Sequence, residues 1–209
     1  MKKIGINFCG GISWLCLVLV LSGCISVQNS PTPRFYVLNA QDENQVINKV
    51  NMDAEVFIGV GPVKIPEYLD RPQMVTQGKE RMLKFAQFDR WGESLDLGMA
   101  RLIRENLTVM LPGAKFTEFP WNLSIPIKYQ VMVEILQLTS ELDRDLLLVA
   151  QWLIIDTQNS KTMLMKRSEF RQPIIPQNYS GLAQTLSTAC ASLSSEIAEA
   201  LAKLETQPD

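Results

Sequence analysis

Four cysteines, Cys9, Cys16, Cys24 and Cys190, are the side chains best suited to covalent chemistry, and the chain has no histidine to serve any of them as a base. Histidine is the commonest general base near neutral pH and a common metal ligand, so its absence narrows the catalytic options at the outset. No two cysteines have C-x-x-C spacing, and neither a phosphate-cradling G-x-x-x-x-G-K-[ST] run nor a G-x-S-x-G nucleophile elbow occurs. Gly59-Val60-Gly61 supplies only the first half of a dinucleotide fingerprint. Glu141, Asp143 and Asp145 cluster, but without the glycine and terminal glutamate of a calcium loop they read as a solvated turn. No catalytic, cofactor-binding or metal-ligating residue is nominated, and the chain is expected not to be an enzyme. What remains is Cys24, whose sulfur could accept a group from outside.

Cys24 closes the tetrad Leu21-Ser22-Gly23-Cys24. Lys2 and Lys3 make a basic start, residues 12–21 are almost wholly apolar, and small residues lead into the cysteine, which is the three-part plan of a secretory signal. The apolar run is roughly half the ~20 residues that a bilayer-spanning helix needs, so no retained span is expected. The tetrad is similar to the bacterial lipobox. In such signals the cysteine receives a diacylglyceryl group, the chain is cut just before it, here between Gly23 and Cys24, and the new amino group is acylated in turn. Two or more acyl chains hold a protein firmly where one anchors only marginally. Lipoproteins of this kind stay at the inner membrane when Asp follows the cysteine. Ile25 stands there instead, which implies the outer membrane, facing the periplasm.

Residues 24–209 are enough for one domain with a sizeable core. Losing residues 1–23 removes Lys2 and Lys3 and no acid, so the formal charge of −2 becomes −4, with no basic footprint for nucleic acid. At 46% apolar and 20% charged, the composition is that of a globular chain. After Cys24 only Cys190 is left, so no internal disulfide can form. Its neighbours Ala189 and Ala191 predict a small buried thiol in a helix.

Residues 24–34 are polar and proline-punctuated and read as a lipidated tether, with the folded domain over 35–209 standing near the membrane and free to tilt. Residues 35–38 predict an edge strand, 42–51 a loop, and 55–60 a buried strand that Gly61-Pro62 stops or bends before 63–65. Pro72 disfavours a helical Arg71, so 66–72 hold at most one helical turn. Residues 74–77 and 82–88 pattern as a hairpin. Leu95, Met99, Leu102, Ile103 and Leu107 mark one face of a helix over 93–111, with Glu93 and Asp96 in its first turn. A short strand at 115–118 and an irregular connection at 119–127 follow. Residues 129–138, 146–155 and 161–170 predict an antiparallel meander. Leu182, Leu186, Ala189, Leu193 and Ile197 mark a last helix over 179–204, whose spacing suits packing on the sheet or a coiled-coil seam to another chain. The expected fold is one α/β domain: a mixed, mostly antiparallel β-sheet with two long α-helices packed on it.

Val60-Gly61-Pro62-Val63, followed by Ile65-Pro66-Glu67-Tyr68-Leu69-Asp70-Arg71-Pro72-Gln73-Met74-Val75, resembles the ABC-type transport auxiliary lipoprotein family, the PqiC/YmbA-like group. Tyr36-Val37-Leu38, Arg90-Trp91-Gly92-Glu93-Ser94-Leu95 and Pro120-Trp121 match the family in the same order. Gly92 departs from it, since Ala is more usual there, and is expected to loosen the start of the helix. The resemblance implies a non-enzymatic outer-membrane lipoprotein that acts as the periplasmic docking adaptor of an intermembrane lipid transport system. Its partner would be an MCE-domain, PqiB-like protein, with a PqiA-like protein or ABC permease components alongside, and homo-oligomers fit the family. The alternative is a lipoprotein that carries or presents a hydrophobic ligand itself. That would need a concave apolar pocket, whereas the pattern predicts a filled core. Tyr68, Leu69 and Arg71 are the first candidates for partner contact, because Tyr and Arg are enriched at hot spots; Trp91 and Trp121 follow. The competing reading has Tyr68 and Leu69 capping the sheet, Arg71 paired with a carboxylate, and both tryptophans in the core.

Overall fold

The computed structural model describes residues 31–40 and 49–206. The signal, Cys24, most of the tether and most of the 42–51 loop lie outside them. The described fold has two mixed sheets and two long helices. In the smaller sheet, β4 (Leu83–Trp91) lies between β1 (Arg34–Tyr36), which is parallel to it, and β3 (Gln73–Gln77), which is antiparallel. In the larger, β2 (Phe57–Lys64) is parallel to both β5 (Lys115–Glu118) and β6 (Ile127–Ser140). From β6 the sheet continues as an antiparallel meander through β7 (Asp145–Asp156) to β8 (Lys161–Pro173). The longest ladders are the antiparallel ones. The expected single sheet is thus divided, because the Pro66–Pro72 turn takes the chain out of β2 into a hairpin that pairs with β1.

Alternation explains the meander. Ile127, Tyr129, Val131, Val133 and Ile135 of β6 are buried on one face. Opposite them in β7, Ile154 pairs with Val131, Trp152 with Val133 and Ala150 with Ile135. A bulge between Ile135 and Gln137 adds one residue, so the buried phase passes from odd to even positions at Leu138 and Ser140. Helix α1 (Leu95–Met110) packs on β2 and β5, and helix α2 (Tyr179–Thr206) on β7, β8 and α1. Met99, Leu102, Ile103 and Leu107 of α1 meet Leu186, Ala189, Leu193 and Ile197 of α2 in one buried core. The α2 stripe therefore packs within the chain. A polar tie locks α2 to the sheet: the Trp152 indole N–H donates to Ser168 Oγ at 3.0 Å, and Ser168 and Lys166 both reach the Glu196 carboxylate on α2. Cys190 is wholly buried, and that burial pushes its thiol up to about 12.

Of the two readings at Gly61-Pro62 the bend holds: β2 runs on with Gly61 at φ 113°, and its register against β6 shifts between Val60 and Val63. Two local expectations change. Helix α1 begins at Leu95, so Glu93 precedes it and pairs instead with Arg101 at 2.6 Å, while Arg101 also donates to the Leu38 carbonyl. Gly92 likewise lies ahead of the helix. Its N–H donates to the Tyr36 carbonyl at 2.7 Å, and a Cβ there would come 3.0 Å from Val37 Cγ1. The small residue lets the end of β1 approach closely and has no part in starting the helix.

Candidate functional site

The Pro-bracketed turn after β2 holds the first group of candidates. Residues Glu67–Leu69 form one 3₁₀ turn, closed by Leu69 N–H donating to the Pro66 carbonyl at 2.9 Å. At the far end Trp91 N–H donates to the Pro72 carbonyl at 2.8 Å, so both ends of the turn are fixed. Leu69 is buried in the core. Tyr68 is half-buried and its hydroxyl donates to the Leu138 carbonyl at 3.2 Å, linking the turn to β6 just past the bulge. These two residues hold the turn, as the capping reading expects.

Arg71 does something else. Among the described residues it pairs with no carboxylate; its guanidinium lies 4.3 Å over the ring of Phe85 on β4. Phe85 is 48% exposed, and Leu83 and Met82 beside it are exposed as well. A cation stacked on an aromatic ring, next to two further apolar side chains, forms a small amphipathic surface on a rigid hairpin. Beside it a cleft of about 220 Å³ runs between Tyr68, Val75, Leu83 and Leu138, smaller than the ~300–1,000 Å³ typical of ligand pockets.

The tryptophans separate. Trp91 is buried at the end of β4, where it pairs with Tyr36. Trp121 is half-buried in the 119–126 connection and lies flat on Gly59, where a Cβ would come within 2.7 Å of its ring; it also meets Phe119 edge-on at 5.5 Å. Gly59 is near the start of β2, whereas the Tyr68 turn follows its end, so Trp121 does not join the Arg71 surface. Sequence reasoning passed over Phe85, Leu83 and Met82. Their signal was an alternation, with Leu83 and Phe85 sharing the face of the hairpin strand opposite buried Ala86.

The acidic turn is neutralised locally, with Arg144 on Glu141 at 3.1 Å and Arg171 on Asp145 at 2.8 Å. Among the described residues no group of three His, Cys, Asp or Glu side chains converges, and no helix is long and apolar enough to cross a membrane. What the Arg71 surface presents is one cation and three exposed apolar side chains.

A family model described as the ABC-type transport auxiliary lipoprotein component matches residues 36–198. No curated protein sequence matches the chain. Among solved structures, the crystal structure of an uncharacterized protein is 18% identical, covers 82% of this chain and 99% of its own, and superposes with a TM-score of 0.67. The protein XCC0632 from Xanthomonas campestris is 8% identical, with 79% of this chain and 92% of its own covered, at a TM-score of 0.60. At these identities the likeness concerns the fold alone.

Proposed function

The chain belongs to the ABC-type transport auxiliary lipoprotein family, and we propose that it is the docking end of an intermembrane lipid transport system. In this reading the signal over 1–23 is removed, Cys24 is acylated, and the tether over 24–34 holds the domain over 35–209 at the periplasmic face of the outer membrane. The domain acts without catalysis, as the receptor for an MCE-domain, PqiB-like protein reaching from the inner membrane. The observation that carries this is the family match over residues 36–198. The surface we assign to the contact is Arg71 stacked on Phe85, with Leu83 and Met82 beside it. Tyr68 and Leu69 support that surface from below, and Trp91 and Trp121 are left to packing.

Carriage of lipid by the protein itself finds less support. The large side chains of the interior fill one continuous core. A cleft of about 530 Å³ sets Phe35, Tyr36 and Val37 against Ser180, Gln184, Ser187 and Thr188 of α2, a mixed lining where an acyl-chain pocket is predominantly apolar.

The test is deletion of this lipoprotein followed by fractionation of the envelope. The MCE protein should still be made but should leave the outer-membrane fractions. Unchanged co-fractionation would remove the docking role. Solvent extraction of the purified soluble domain should return no lipid.

A further inference from the structure

Phe35 and Val37 stand at the start of the folded unit, 65% and 50% exposed. As alternate residues of an extended segment they project to the same side. Ile175, 70% exposed, lies in the loop before α2, and Ser180 in the first turn of that helix lines the same cleft as Phe35 and Val37. The segment that presents them is fixed. Arg34 grips the Asp89 carboxylate with two bonds of 2.8 and 2.9 Å, the Tyr36 hydroxyl donates to the same carboxylate at 2.8 Å, and Gly92 N–H donates to the Tyr36 carbonyl. Phe35 therefore projects from a docked strand of the body.

We propose that this β1 face lies against the bilayer that holds the acyl chains, with Phe35 and Val37 immersed at its interface, so that the domain is held in one orientation. The proposal rests on the reading of Cys24 as the lipid anchor. Eleven positions separate Cys24 from Phe35, a reach of about 38 Å at full extension and nearer 18 Å as a flexible coil. Tethering at that range gives the patch a high effective concentration at the surface, so a contact too weak to recruit a free protein can still orient an anchored one. Leu123, 95% exposed in the 119–126 connection, lies outside the cleft that Phe35 and Val37 line and serves as the control.

The experiment uses the full acylated protein in phosphatidylcholine–phosphatidylglycerol vesicles, with one fluorophore placed through Val37→Cys or through Leu123→Cys. Cys190 is buried and stays unlabelled. Lipids carrying a quencher on the acyl chain should quench the probe at position 37 several-fold more than the probe at 123. Adding Phe35→Asp should abolish most of that difference with the circular dichroism unchanged. Should Val37→Cys fail to fold, a probe through Gln184→Cys, in the cleft that Phe35 and Val37 line, reads the same face. Equal quenching at the two positions, or no effect of Phe35→Asp, overturns the orientation while leaving the anchor intact. A protein whose mass shows no acyl group overturns the anchor and the orientation together.

Discussion

Asp89 shows how much one side chain can carry. It is 4% exposed on β4, yet it receives both arms of the Arg34 guanidinium and the Tyr36 hydroxyl. A buried carboxylate is tolerated only when so satisfied. Asp89→Asn replaces charge-assisted bonds with neutral ones and should cost about 1–3 kcal/mol in urea denaturation, with β1 released before the rest of the fold. Tyr36 carries a second consequence. Burial first, and then its bond to Asp89, raises its phenol above the usual tyrosine range; burial does the same to Tyr129. A group whose folded pKa is raised holds its proton longer in the native state. The stability it contributes is complete below the unfolded pKa near 10 and is lost as pH climbs through the raised folded value. Denaturation midpoints should accordingly be flat through neutrality and fall in the alkaline range, and Tyr36→Phe should make that fall shallower. Cys190, with its thiol near 12, should resist thiol reagents in the native protein and react at once in denaturant.

Among the elements, the contact between Gly59 and Trp121 sets the place of the mid-chain connection. Gly59→Val must displace the indole, since even a Cβ would come within 2.7 Å of it. The expected result is a red-shifted tryptophan emission and a looser 119–126 segment under limited proteolysis, with the meander intact. An unshifted spectrum would mean that the ring sits elsewhere. Elements with a strong period of their own were legible in the sequence. The α1 stripe, the α2 stripe and the alternation of β6 fix which faces are buried, and the structure places them within a few residues of expectation. What was not legible depends on pairing between distant segments. The bulge at Ile135 exists because β7 opposes β6, and the division into two sheets exists because β4 pairs with β1 more than fifty residues away in sequence. The Arg71 surface has the same origin. Phe85 becomes its floor only when the hairpin folds back beneath the Pro-bracketed turn. Family-specific residues pointed to Tyr68, Leu69 and Arg71 together, but only geometry separates the two that hold the turn from the one that faces outward.

At the scale of the whole molecule that separation gives a way to tell a docking surface from a folding requirement. An exposed cation–π pair contributes about 0.5–1 kcal/mol, so Arg71→Ala should move the unfolding midpoint little. Leu69→Ala should cost about 2–5 kcal/mol through the cavity it leaves, since Leu69 is buried. If Arg71 is a hot spot for the MCE partner, its truncation should cost at least ~2 kcal/mol of binding, roughly a thirty-fold rise in Kd, from a protein that unfolds like the parent. Phe85→Ser should have a similar effect, because the guanidinium then loses the ring that orients it. Trp121, packed on Gly59 near the start of β2, should be silent in binding when replaced by Phe. Titration of the parent and these variants against the purified partner decides between the two roles. Binding that survives Arg71→Ala and Phe85→Ser unchanged would move the docking site away from the hairpin, whatever the fate of the membrane anchor.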